Sequence, residues 1–215
     1  MLLKKLNTAH LSCALTAFAG IISSLALSPK AVAVEGVHVV RIEEDWELTL
    51  SSPDADSVAP QVTTSLSPLG NVNGLHATFE LNHQTAPDFA AGGLHLHMWN
   101  GEQRLASVNH SNNGVAQTSG EVVRWTQALS INDGQLTVEI KSGTSTTWGH
   151  FGNGSFRASV ATTLTNLDGY SPEVTVSQSG VGFAGNRVQS FKLTKVRAKL
   201  STGQVVEDNT VRVVH

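Results

Sequence analysis

Residues 34–215 of the sequence predict an all-β protein, a two-sheet antiparallel β-sandwich. Apolar and polar residues alternate along most of this stretch, which is the period of a half-buried strand. Valine and threonine, which suit a pleated surface, are abundant, and no window of comparable length has helical spacing. Strands at this spacing, in a chain of this length, are typical of a sandwich or a barrel.

The alternating segments predict strands in chain order, with glycine-containing turns between them. Asn132-Asp133-Gly134 and Gly152-Asn153-Gly154 favour tight turns, because Gly, Asn and Asp tolerate positive φ. No internal repeat or low-complexity linker interrupts the pattern, so we expect a single domain over residues 34–215. The strands are expected within residues 75–82, 94–99, 136–141, 156–160, 174–176, 196–200 and 211–214.

Residues 1–33 have the features of a cleavable secretory signal peptide. Lys4 and Lys5 precede an apolar run over residues 11–27, and a small-residue cleavage site follows at residues 31–33. The apolar run is shorter than the roughly 20 residues that a membrane anchor needs, and polar residues dilute it. We therefore expect cleavage before Val34 and a protein that is secreted or resides in the periplasm or cell envelope.

The composition of the mature chain limits its partners. Without residues 1–33, 11 basic and 17 acidic residues remain, which moves the net charge from −3 to about −6. This balance argues against nucleic acid and against an anionic membrane surface as partners. Cys13 is the only cysteine and lies in the signal segment, so the mature domain is expected to fold without disulfides. The sequence does not predict the oligomeric state.

Several segments resemble known folds and families. The Phe-Glu-Leu strand at residues 79–81, the segment 93–99 and the hairpin into residues 133–138 resemble the concanavalin A-like lectin and glucanase jelly roll. That resemblance implies a β-sandwich of jelly-roll type whose concave sheet binds glycans. Asp45-Trp-Glu-Leu48, Ala59-Pro-Gln-Val62 and residues 79–82 are also similar to an uncharacterised family of exported bacterial proteins, which implies secretion but no activity.

The hairpin predicted for residues 75–82 and 93–99 carries the best-defined candidate site. Burial of Phe79 and Leu96 fixes the parity of the pairing, because a one-residue slip would turn the apolar side chains outward. Directly opposed side chains lie about 4.5–5.5 Å apart at Cβ, so the polar residues of the other face can touch. The expected pairs are Glu80 with His95, Thr78 with His97, and His76 with Trp99.

Three interpretations of this face stay open. It is a solvated sheet face without a ligand, a glycan-binding face on which an aromatic ring stacks against a pyranose, or a metal site in which His95 and His97 bind Zn²⁺. We favour glycan binding among the functional interpretations and expect no cofactor. The ligand-binding residues, which we call the His-Trp face, are His76, Glu80, His95, His97 and Trp99.

Glu43, Asp45 and Glu47 provide an enzymatic alternative. Their spacing matches the Glu-x-Asp-x-Glu pattern of the resembled retaining glucanases, in which one carboxylate is the nucleophile and another the acid/base. Two features disfavour catalysis: the acidic run near the mature terminus is typical of a solvated edge strand, and Glu44 would enter the core unpaired. We therefore expect a non-enzymatic module, with glucanase-like hydrolysis or a purely structural envelope role as alternatives.

The other tryptophans are predicted from their neighbours. Trp46 alternates with charged residues beside Leu48 and is expected in the core, while the position of Trp125 stays open. Trp148 lies among glycines after a strand. It forms either the rim of a binding groove or a plug over one end of the core, and we favour the plug.

Overall fold

The computed structural model describes residues 36–51, 59–82, 93–112 and 114–215. The predicted signal peptide and its cleavage site lie outside these residues. Within them, 13 strands, one short α-helix (α1, Pro172–Gln178) and a 3-10 turn (Gly185–Arg187) form the fold. The strands are β1 (Val39–Leu50), β2 (Gln61–Leu66), β3 (Leu75–Leu81), β4 (Leu94–Asn100), β5 (Gln103–His110), β6 (Val122–Asn132), β7 (Gln135–Ser145), β8 (Gly149–Gly152), β9 (Arg157–Ala161), β10 (Gly180–Phe183), β11 (Val188–Leu200), β12 (Val205–Asp208) and β13 (Arg212–Val213).

The strands form two antiparallel sheets that pack as a sandwich, which confirms the predicted fold class. The larger sheet has eight strands, with the order β12-β11-β1-β6-β7-β8, β13 beside β11 and β9 beside β7. The smaller sheet has the order β10-β2-β3-β4-β5. Strand β1 pairs with β11 and β6, so the expectation that the acidic run forms an edge strand is wrong. Among the described residues, no helix is long and apolar enough to cross a bilayer.

Aromatic rings join the two sheets in the core. Trp46 and Trp125 of the larger sheet stack with ring centroids 6.1 Å apart, and both are buried. Phe79 of the smaller sheet packs edge-on against Trp125 at 5.6 Å and against Phe156 at 5.8 Å. Trp46 is thus a core residue, as predicted. Burial of such large rings stabilises the sandwich, with aromatic pairs adding about 0.5–1.5 kcal/mol each beyond the area that they bury.

Glu44 is fully buried but is not unpaired, which corrects the sequence-based expectation. Its Oε1 accepts a hydrogen bond from the Tyr170 hydroxyl at 2.7 Å, and its Oε2 accepts from Gln127 Nε2 at 2.7 Å and Trp46 Nε1 at 3.0 Å. Burial raises the pKa of Glu44, and these donors oppose that rise. Burial and the Glu44 carboxyl also raise the pKa of Tyr170 well above its usual value, so the phenol remains a donor.

The strand predicted at residues 174–176 is instead the helix α1. Ser171 caps it by accepting from the Val174 N–H, and Pro172 occupies its first turn. Both are helix-start signals that a two-residue alternation of valines obscured. The helix places Thr175 in the buried set near Glu44. Ser179 after it accepts a hydrogen bond from the Ser65 N–H of β2 at 3.0 Å and donates one to the Thr175 carbonyl of the helix at 2.7 Å.

Exposed and partly buried residues alternate in the segment 211–214, within which a strand is expected. Val211 and Val213 are exposed, whereas Arg212 is turned inward and pairs with Asp208 at 2.7 Å. A second carboxylate, that of Glu173, lies 3.2 Å from the same guanidinium. The two ion pairs hold the Arg212 guanidinium in its partly buried position between the two exposed valines.

Replacing Glu44 by leucine should destabilise the protein by about 3 kcal/mol or more, because three donors would lose their acceptor inside the core. Glu44→Gln should cost less, since its carbonyl can accept from Gln127 and Trp46 while its amide donates to Tyr170. Glu47→Gln is the surface control and should cost at most about 1 kcal/mol. Urea unfolding measures all three variants, and equal losses for Glu44→Leu and Glu47→Gln would contradict the assignment.

Candidate functional site

The register between β3 and β4 is the one that the sequence predicts. His76 lies opposite Trp99, Thr78 opposite His97, and Glu80 opposite His95. The alternate residues Phe79 and Leu96 are buried in the core, which fixes this parity. The structure therefore brings the five predicted ligand-binding residues together on the outer face of the smaller sheet.

The rings of this face form a continuous aromatic row. His76 and Trp99 stack across the strands with centroids 6.5 Å apart and an interplanar angle of 14°. Along β4, His97 meets Trp99 edge-on at 5.5 Å, and His95 lies 5.6 Å from His97. The row presents π-faces and ring nitrogens side by side, which suits a ligand that has both apolar and hydroxyl surfaces.

Thr78 is a member of the His-Trp face that sequence reasoning did not assign. Its hydroxyl accepts a hydrogen bond from Trp99 Nε1 at 3.0 Å and donates to Glu80 Oε1 at 3.4 Å. His76 Nδ1 lies 2.9 Å from the carbonyl oxygen of Gly74, which orients the stacked imidazole. Thr78 lies midway between His76 and Glu80 on the same strand, and this two-residue spacing could have assigned it to the same face.

Exposure divides the face into an accessible and a covered part. His76, His95 and Trp99 are partly exposed, whereas His97 is only 1% exposed and Glu80 8% exposed. His97, one of the predicted ligand-binding residues, is therefore enclosed and does not face solvent. One cause lies within the strand, since the rings of His95 and Trp99 pack on either side of it. A ligand would therefore meet His76, His95 and Trp99 first.

The zinc interpretation gains no support from these contacts. The described part of the chain holds no group of three or more His, Cys, Asp or Glu side chains arranged to bind a metal ion. The rings of His95 and His97 are inclined at 56° to each other. A catalytic or structural zinc needs at least three protein ligands in convergent geometry.

The acidic triplet occupies the outer face of the larger sheet, where each carboxylate is held by cations. Glu43 contacts Lys141 at 2.9 Å, Arg41 at 2.9 Å and Arg197 at 3.2 Å. Asp45 accepts two hydrogen bonds from Arg197, at 2.6 and 2.7 Å, and one from Thr126 at 2.7 Å. Glu47 completes the row with Arg124 at 2.7 Å and Lys192 at 2.8 Å.

These contacts lower the pKa values of all three carboxyl groups. Partial burial would raise the pKa of Glu43, but hydrogen bonds from Lys141 and Arg41 outweigh it and bring the pKa to about 2. For Asp45, partial burial is likewise outweighed by the hydrogen bonds from Arg197 and Thr126. For Glu47, the Lys192 hydrogen bond lowers the pKa against partial burial.

Such surroundings are unsuited to retaining hydrolysis. The acid/base carboxyl of a glycosidase must hold a proton near neutral pH, which requires a raised pKa. The one carboxyl of this strand whose pKa is raised, Glu44, is enclosed in the core and has no path to a substrate. The triplet therefore has the electrostatics of a structural ion-pair network.

Trp148 closes one end of the core, in keeping with the favoured plug. Its ring packs 4.9 Å from that of Phe151, and its Nε1 donates to the fully buried Glu121. Ser145 donates to the same Oε1 at 2.9 Å. Arg187, 2% exposed, interacts electrostatically with Glu121: burial lowers the pKa of the arginine, and the carboxylate opposes this.

Fold and site together define this protein as an all-β sandwich with an aromatic-imidazole face on one sheet and an ion-paired face on the other. No model of a known protein family matches the chain, and no curated protein matches it either. The resemblances to lectins and glucanases and to exported bacterial proteins thus remain expectations, and the two surfaces must carry the functional argument.

Glu43 should make the stability of the protein depend on pH in the acid range. Its pKa is about 2 when folded and 4.5 ordinarily, so it stabilises the fold above pH 4.5 and this contribution is lost as the pH falls toward 2. Between pH 5 and pH 3 the loss from this group should reach about 2 kcal/mol. Glu43→Gln should flatten the profile of unfolding free energy against pH by that amount.

The matched control is Glu102→Gln, which removes an exposed carboxylate in the turn between β4 and β5. It should keep the wild-type profile. An unchanged slope in Glu43→Gln would mean that the ion pairs of Glu43 do not form in solution.

Proposed function

We propose that this protein is an exported, non-enzymatic module that binds an extracellular or cell-envelope polymer, in particular a glycan, on its His-Trp face. The observation that carries the proposal is the partly exposed stacked pair of His76 and Trp99, with Thr78 fixing the indole from below. A pyranose offers an apolar C–H face to a ring and hydroxyls to neighbouring polar groups. The pair of His76 and Trp99 offers a ring face for the C–H groups and ring nitrogens for the hydroxyls at one place.

The surroundings of Trp99 favour a preformed site. The hydrogen bond from Nε1 to Thr78 and the packing of His76 and His97 against the indole restrict its rotamer before any ligand arrives. Ordering a side chain on binding costs affinity, so a ring that is already held loses less. The sandwich is compatible with a jelly roll, and the resembled jelly rolls bind glycans on a sheet face.

Hydrolysis is the weaker alternative. The carboxyl groups of Glu43, Asp45 and Glu47 have lowered pKa values, and each is already engaged by a lysine or an arginine. A purely structural role makes the opposite prediction to recognition, because it requires no ligand on the His-Trp face. Export rests on the signal segment at residues 1–33 and would place the module outside the cytoplasm.

Trp99→Ala should weaken binding to the best ligand of a glycan array by about tenfold or more, because the stacking surface is lost. Trp99→Phe should retain part of the affinity, since it keeps a ring but not the hydrogen bond to Thr78. Calorimetric titration with the selected oligosaccharide measures both variants.

Leu105→Ala is the matched control, because Leu105 is an exposed apolar residue of β5 in the same sheet. It should bind like the wild type. If the wild-type protein binds no glycan of the array, or if Leu105→Ala loses as much affinity as Trp99→Ala with both folds intact, recognition on the His-Trp face is refuted.

A further inference from the structure

Basic side chains are concentrated on the outer face of the larger sheet, although the protein as a whole is acidic. Of the 14 lysines and arginines, Lys4, Lys5 and Lys30 lie outside the described residues. Eight of the other 11 lie on this one surface, which we call the basic face. Five of them are the ion-pair partners of the acidic triplet, and the rest are Arg157, Lys195 and Lys199.

The charge of this face is the opposite of that of the remaining surface. Five acidic residues share the basic face, which leaves it with a formal excess of three positive charges. The rest of the described chain has three basic and eight acidic residues. The acidic residues of the basic face are Glu43, Asp45, Glu47, Glu139 and Glu207.

Two of the cations lie well outside the anions with which they pair. The side chain of Arg124 is 60% exposed and that of its partner Glu47 is 19% exposed. Lys141 and Glu43 show the same layering, at 53% and 14%. At these two pairs the carboxylate lies beneath the basic side chain, and solvent meets mainly the cation. Asp45 and Glu207, at 28% and 46%, are instead more exposed than their partners Arg197 and Lys195, at 23% and 32%.

An open depression of about 390 Å³ lies in this face between β1, β6, β7 and β11. The hydroxyl groups of Thr126, Ser142, Thr144 and Thr194 line it together with Arg124 and Arg197. Two register irregularities border it, one between Asp45 and Trp46 in the pairing with β11 and one after Thr126 in the pairing with β7. Such bulges reorient side chains and are over-represented beside functional sites.

From the excess of exposed cations around hydroxyl-lined space, we infer that the basic face binds an acidic polysaccharide, one whose sugar units carry carboxylate or sulfate groups. The cations complement the anionic groups, and threonine and serine hydroxyls complement the sugar hydroxyls. Six of the eight basic side chains are held by ion pairs, so these lose little conformational entropy on binding. This surface lies on the other sheet from the His-Trp face and is a second site.

Polysaccharide fits the face better than the two other polyanions. An anionic membrane calls for apolar side chains that insert among the cations. The exposed Val205 and Val213 lie only at the β12–β13 edge of this face, and the depression itself is lined by hydroxyl-bearing and charged residues. Single-stranded nucleic acid calls for exposed aromatic rings among the cations. Trp46 and Trp125 border the depression, yet their rings are buried in the core.

Polygalacturonate, dextran sulfate and neutral dextran immobilised on a biosensor test the inference with the whole mature protein. We expect binding to one or both acidic polymers, none to dextran, and loss of binding at high salt because the contacts are screened. The two acidic polymers distinguish a carboxylate from a sulfate ligand. Arg124→Glu/Lys141→Glu should weaken binding about tenfold or more.

Two further variants are controls, one for misfolding of the double variant and one for binding to another surface. Lys199→Glu, at a position that forms no ion pair with another described residue, should also weaken binding while leaving the ion-pair network intact. Arg104→Glu makes the same charge change on β5, opposite Trp99, and should bind like the wild type. Trp99→Ala should likewise keep acidic-polymer binding, so failure of the proposed glycan site leaves this result unaffected.

Several outcomes would overturn the inference. They are no binding to either acidic polymer at low salt, equal losses in Arg104→Glu and Arg124→Glu/Lys141→Glu, or unchanged affinity in both basic-face variants. Stronger binding to phosphatidylglycerol vesicles or to oligonucleotides than to the polysaccharides would assign the face to a membrane or a nucleic acid instead.

Discussion

The alternation of side chains on β1 is the constraint on which both surfaces of the larger sheet depend. Because β1 lies between β11 and β6, each of its side chains enters either the core or the outer face. Trp46 and Leu48 fill the core, and the same parity forces Glu44 to enter it with them. The fold accommodates this carboxyl only by bringing Tyr170 and Gln127 to it, which ties the segment before α1 and strand β6 to β1.

The carboxylates on the outer side of β1 also need partners from other strands, but here the partners are cations instead of neutral hydrogen-bond donors. Glu43, Asp45 and Glu47 line a central strand, where three neighbouring carboxylates would repel one another unless cations stood between them. The neighbouring strands β6, β7 and β11 supply those cations, and their number exceeds that of the carboxylates. The arrangement that neutralises the strand therefore also creates the positive surface above it, at the expense of acid/base chemistry.

The sequence predicted those features that follow from local periodicity. Alternation of apolar and polar residues predicted the sheet architecture, the register of β3 against β4 and the core position of Trp46. It did so because successive side chains of a strand point to opposite faces of the sheet. The helix α1 was not predicted, because the spacing of Val174 and Val176 matches the two-residue period of a strand. Ser171 and Pro172 before them were the helix-start signals. The partners of Glu44 could not be predicted, because Tyr170 lies far along the chain and nothing in a single sequence pairs the two.

Net charge misleads for a related reason. The 11 basic and 17 acidic residues of residues 34–215 argue against polyanionic partners only if the charges are spread evenly, and sheet pairing does not spread them evenly. Lysines and arginines from five strands converge on one face, because antiparallel pairing places β11 beside β1 and β9 beside β7 in the same sheet. The core separates this face from the His-Trp face, so occupancy of one leaves the other open. If both proposed sites bind their polymers, one copy of the protein would bridge two polymer chains.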